Sequence, residues 1–113
     1  MISVANRIYV NPDFAEDFEH RFTHRTSLMD GVPGFVSFQL MRPLKKETPY
    51  VVQTFWESRE AFHAWTSSDS FRKSHAQSSS LPKEAFTGRN QIEIHEIIHE
   101  SSWGVTYLVF RPT

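Results

Sequence analysis

Asn6, Trp65 and His75 carry side chains able to act together on a flat aromatic ligand, by hydrogen bonding, stacking and metal ligation respectively. Asn6 lies in an alternating stretch. Ile2, Val4, Ile8 and Val10 share its face of a strand, while Ser3, Ala5, Arg7 and Tyr9 take the other. Burying an amide without partners costs on the order of 1–3 kcal/mol. It therefore either bonds to backbone, the commoner outcome for a core asparagine, or lines a cavity. His75 has Phe71 one turn before it and the small residues Ser74, Ala76 and Ser78 nearby. Neutral imidazole presented from a helix toward an aromatic-lined cavity suits an iron ligand, although a lone histidine is more often a surface or core residue.

Whether Trp65 and His75 can share a pocket depends on the chain between them. Trp56-Glu57-Ser58 leaves a strand and enters a helix capped by Ser58, with Ala61, Phe62 and Trp65 on one side. Ser67-Ser68-Asp69-Ser70 then interrupts it with residues that favour caps and turns, and a second helix runs through Phe71 and His75 to about Ser78. In one unbroken helix ten residues rise roughly 15 Å and turn the two side chains to different faces. A bend at Ser67–Ser68 would bring both to one cavity.

Other chemistry finds less support. Of the six histidines, His20 and His24 lie four apart beside Glu16, Asp17 and Glu19, a pattern more often solvated than metal-binding. His95 and His99 have no evident third ligand. There is no cysteine, no Gly-x-Ser-x-Gly elbow, and the four glycines lie in turns rather than a phosphate loop. Glu16 and Asp17 fall on a solvent face, so paired-carboxylate hydrolysis is not indicated.

The elements that must position these residues follow from the patterning. Asn11-Pro12 starts a helix, with Phe14, Phe18 and Phe22 recurring every four residues as its buried stripe, to about Leu28. Asp30-Gly31-Val32-Pro33-Gly34 is a turn. A strand over 35–42 places Val36, Phe38 and Leu40 on one side and Phe35, Ser37, Gln39 and Met41 on the other. The polar turn 43–49 leads to a third strand, 50–56, and Gln91 to Ile98 makes a fourth with Ile92 and Ile94 facing one way. The order β-α-β-β-α-(α)-β is that of the ferredoxin-like split βαβ unit, an α+β fold. Helices on one face only leave the other to be buried, and the simplest partner is a second copy, forming a homodimer with a joint β-barrel.

At 113 residues the chain suits one domain, and an aromatic content of 14% exceeds what its core obviously needs, which favours a ligand cavity or subunit interface. A net charge of −1 without a basic cluster gives no footing for nucleic acid or an anionic membrane. No apolar run is long enough to span a bilayer and no signal peptide is visible, so a cytoplasmic domain is the expectation.

Asn6-Arg7 in the first strand, Gly34-Phe35 opening the second, Phe55-Trp56-Glu57-Ser58 running into Ala61-Phe62 and Trp65, then Ser68-Asp69, Phe71 and His75, form one set of signs. Together they resemble the antibiotic biosynthesis monooxygenase superfamily and, within it, the IsdG-type haem-degrading monooxygenases, over residues 2 to 98. The strand-to-helix phrases mark the fold; the trio Asn6, Trp65 and His75 is the specific part. The resemblance implies a dimeric α+β barrel for the domain, residues 1–100; the extension 101–113 lies beyond the match, and its run Trp103 to Phe110 reads as a fifth strand or a tail docked on a partner. The resemblance also implies that His75 is the proximal, axial ligand of a haem iron, that Asn6 sits on the distal side, and that Trp65 presses the porphyrin out of flatness, with Phe71 also at the haem. Haem is then cofactor and substrate, consumed with O2 and electrons from an external reductase, and iron is released. By charge, Arg25 and Arg72 are candidates for the propionates. The alternatives are a cofactor-independent monooxygenase acting on a quinol or aromatic polyketide, a non-enzymatic haem-binding protein, and a dimeric barrel with a structural or small-ligand role.

Overall fold

Alternation at the start of the chain becomes strand β1 (Ile2–Ile8), in which Ile2, Val4 and Ile8 are buried. The structure, a computed structural model, describes residues 1–25, 29–78 and 81–101, without the side chains of 24–25 and 74–78; the expected extension from 102 onward and the expected end of the first helix near Leu28 lie outside them. After β1 come α1 (Ala15–Arg25), β2 (Phe35–Met41), β3 (Tyr50–Trp56), α2 (Arg59–Thr66), α3 (Asp69–Ser78) and β4 (Gln91–Glu96). The strands form one antiparallel sheet in the order β2-β3-β1-β4, the ferredoxin-like α+β arrangement.

Register explains which side chains meet. Ile2, Val4, Asn6 and Ile8 stand opposite Trp56, Thr54, Val52 and Tyr50 of β3, so one sheet face carries all of them. The helices cover that face. Phe18 and Phe22 of α1 pack with Ile8 and Tyr50, and Trp65 of α2 packs with Ile2, Val4 and Trp56. The Phe stripe of α1 is core, with ring centroids 4.7 Å apart for Phe18–Phe22 and 4.8 Å for Phe18–Tyr50. The opposite face holds Ala5, Val51, Phe55 and Met41 among polar neighbours, with Arg7 and Glu93 paired across it at 3.3 Å.

Two strand expectations change. β1 ends at Ile8, and Val10 instead forms an isolated bridge to Phe86. In β2 the pairing with β3 skips a residue between Phe35 and Ser37. The bulge resets the alternation, so Phe35 joins Phe38 in the core while Val36, expected beside Phe38, is 44% exposed.

The turn before β2 comes so close to α2 that glycine is required. Gly34 has φ of 81°, and a Cβ there would lie 2.3 Å from the Ala61 Cβ. Its carbonyl accepts from Glu57 N–H at 2.8 Å, fixing where α2 begins. At the other end of the sheet, Arg42 clamps Glu19 of α1 through Nε and Nη2 at 2.7 and 2.6 Å, and the Tyr50 hydroxyl donates to the same carboxylate. The Arg42 bonds, then the Tyr50 bond, hold the Glu19 carboxyl down at about 2, while burial and then Glu19 push Tyr50 up to about 12. With its folded pKa below the unfolded value of 4.5, Glu19 adds stability that is complete above that value and lost as pH falls toward about 2. Arg42 is 69% exposed, so solvent screening keeps the gain small. Denaturant melts of Glu19→Gln are expected to show a deficit at pH 7 that shrinks below pH 4.5 and closes only as pH approaches about 2; parallel curves at all pH values would remove the linkage.

Candidate active site

Between the helix-covered sheet face and α1 and α2 lies a cavity of about 320 Å³, whose walls include Asn6, Phe22, Phe38, Val52, Trp65 and Ile92. That is at the lower end of the ~300–1,000 Å³ range of ligand cavities. Asn6 reaches it because β1 is a central strand, with Val52 on one side and Ile92 on the other. Its Oδ1 is buried and has no hydrogen-bond partner among the described residues. The backbone-satisfied core asparagine is therefore not what this chain builds, since the surrounding groups leave that oxygen's desolvation uncompensated.

Trp65 is 7% exposed and held on two sides. Trp56 stacks with it at 6.4 Å and 27°, and Phe71 meets it edge-on at 5.6 Å and 85°. A further side of the indole forms part of the cavity wall. α2 begins where the sequence indicates, with Ser58 Oγ accepting from Ala61 N–H at 3.1 Å. It also stops where indicated. Ser68 Oγ donates to the Trp65 carbonyl at 2.6 Å and accepts from Phe71 N–H at 3.2 Å, so one hydroxyl ends α2 and begins α3.

The structure thus brings Asn6 and Trp65 to one cavity and places the bend at Ser67–Ser68. Phe71 stands behind Trp65 as its support. His75 lies on α3, two turns beyond the bend by helix geometry, and its side chain is outside the description. Of the expected propionate cations, the Arg25 side chain is also outside, and Arg72 is 73% exposed and paired with Asp69 at 3.4 Å.

The wall also holds residues that were not anticipated, among them Arg21, Met29, Leu81, Phe86 and Asn90. Leu81 and Ala85 are buried although their segment reads as a connecting loop. Their spacing of four, before a short 3-10 turn over Lys83–Ala85, is the signal that this stretch packs. Arg21 lies between Phe18 and Phe22 on α1 and carries a charge into a wall that is otherwise uncharged among the described residues.

The sequence pattern of the antibiotic biosynthesis monooxygenase family matches residues 1–77, and the chain belongs to that family. A mycobilin-producing haem oxygenase of Mycobacterium tuberculosis is 37% identical over 101 residues, 89% of this chain and 93% of the relative. A haem-degrading monooxygenase of Listeria welshimeri is 32% identical over 112 residues, 88% of this chain and 93% of the relative. Among solved structures, the haem degrader MhuD of Mycobacterium tuberculosis, with two haems in its active site, is 32% identical with a TM-score of 0.73, covering 90% of this chain and all 100% of that one.

Proposed function

We propose that this protein is a haem-degrading monooxygenase that binds haem in the cavity between the sheet and helices α1 and α2. The observation that carries the reading is the unpartnered Asn6 Oδ1 in the same apolar cavity as a clamped indole. Such a site is poor for a wholly apolar ligand and suits a flat one with a polar centre. The similarity to haem degraders over most of the chain supports the same substrate. Bound haem supplies both the iron at which O2 is reduced and the porphyrin ring that is oxidised and opened, with iron released and electrons drawn from an external reductase.

The chain's own residues divide the rest. His75, on α3, would hold the haem iron through an imidazole nitrogen, and the Ser68 hydroxyl sets where α3 begins. Asn6 turns its amide toward the distal side; rotation of the terminal torsion presents either the oxygen or the NH₂, so a donor is available where the ligand is polar. Trp65, backed by Trp56 and Phe71, is a wall too well supported to yield, and it bends the macrocycle rather than moving aside. The apolar lining excludes water from the reacting face. The uncovered sheet face with Phe55, Val51 and Met41 pairs with a second copy in a barrel-like homodimer. No helix of the described residues is long and apolar enough to cross a membrane. Together with the lack of a basic cluster, this supports a cytoplasmic enzyme without nucleic-acid or membrane partners.

Titrating the purified protein with haemin and following the Soret band, then adding ascorbate under air, tests the reading. A shifted band that decays with ring-opened product is expected. A stable band would make it a haem carrier, and no shift would end the haem reading in favour of a cofactor-independent oxygenase. Trp65→Phe, which keeps a ring but shrinks the wall, is expected to change the decay rate several-fold or alter the product spectrum; if both match the wild type, Trp65 does not distort the macrocycle.

A further inference from the structure

Among the described residues lining the cavity, Arg21 is the one with a charged side chain. It sits on α1 between Phe18 and Phe22, both buried core residues, so the helix cannot rotate to withdraw it. Its side chain is 34% exposed, which puts the guanidinium where the apolar cavity meets solvent, and its Nε donates to Asp17 Oδ1 at 3.2 Å. An arginine carried into a wall of Phe, Val, Leu and Ile adds nothing to an apolar ligand. It is suited to a ligand whose rim is anionic and whose body is not.

We propose that Arg21 is the carboxylate-recognition residue of this site, taking one propionate of the bound porphyrin in place of Asp17. This rests on the haem reading above and adds the orientation of the ligand: propionate edge at the α1 rim, opposite edge toward the interior. The exchange is chemically even. Asp17 and a propionate are both carboxylates, and the guanidinium fork accepts either with the same geometry. Asp17 is 52% exposed, so once displaced its charge is met by water at little cost. Asp17 thereby acts as an internal competitor that keeps the guanidinium oriented along α1 and weakens propionate binding to a degree its removal would reveal. Arg72 is not among the residues lining the cavity and pairs with Asp69 on its own exposed helix.

The test uses two porphyrins, haemin and its dimethyl ester, which share the ring and iron but differ in the rim charges. Affinities are read from Soret titrations of the full chain carrying Arg21→Gln, Asp17→Asn or, as a control cation in the β2–β3 turn, Lys45→Ala. Arg21→Gln is expected to weaken haemin about tenfold, as for one lost charge-assisted hydrogen bond, and to leave the ester unchanged. Asp17→Asn is expected to tighten haemin several-fold without moving the ester, and Lys45→Ala to change neither. If Arg21→Gln binds haemin as the wild type does, or loses both porphyrins equally, Arg21 has no carboxylate role. A wild type that binds neither porphyrin overturns the haem reading, and this one with it. A wild type that binds both, insensitive to Arg21, overturns only the assignment of Arg21.

Discussion

His75→Ala is expected to weaken haemin at least a hundredfold, so that no stable Soret shift survives gel filtration. The size follows from what is lost: the histidine is the one covalent attachment between chain and iron in the proposed complex, and the remaining contacts, the apolar wall, the Asn6 amide and the Arg21–propionate pair, are non-covalent. The substitution lies on α3, whose residues up to Lys73 are exposed or partly exposed. Its melting temperature should therefore stay near the wild-type value, which separates lost ligation from lost folding. Tight binding with normal ring opening in His75→Ala would move the iron ligand elsewhere.

Asn6 gives the second large effect, and it has two opposite signs. Asn6→Ala is expected to bind haemin within a few-fold of the wild type yet degrade it about a hundredfold more slowly, the usual scale for removing one donor aimed at a reacting centre. The same position should gain stability when made apolar. Oδ1 is buried without a partner, and Asn6→Leu keeps the shape while removing the uncompensated polar atom, for a gain of about 1–2 kcal/mol in denaturant melts. A purely structural asparagine predicts the reverse, destabilisation with unchanged turnover. Measuring both quantities on these two variants decides between the roles.

Much of this site is legible in the sequence because it depends on local rules. Alternation puts Asn6 on the inner face of β1, and the serines at 67 and 68 mark the break after Trp65; both are where the structure has them. What escapes sequence reading depends on non-local geometry. The bulge that turns Val36 outward is set by pairing with β3, and a two-residue period cannot foresee a skipped residue. Glu19, Arg42 and Tyr50 come from three elements and meet only once the sheet has formed. Arg21 reads only as a neighbour of the Phe stripe on its helix; the position of α1 over the sheet shows that it borders the cavity. Ile92 and Ile94 face one way as the alternation indicates, but β4 is an edge strand, so Ile92 is 63% exposed even as it borders the cavity.

The double role of the Ser68 hydroxyl bears on how a ligand is received. Both of its bonds are internal to the chain, one to the last turn of α2 and one to the first turn of α3. The angle between the helices is thus secured by groups that a ligand never touches. Association then carries no entropic charge for shaping the bend, and its rate is governed by entry into a preset cleft rather than by a slow rearrangement. A chain without this oxygen could still reach the same angle, but it would have to find it anew at each encounter.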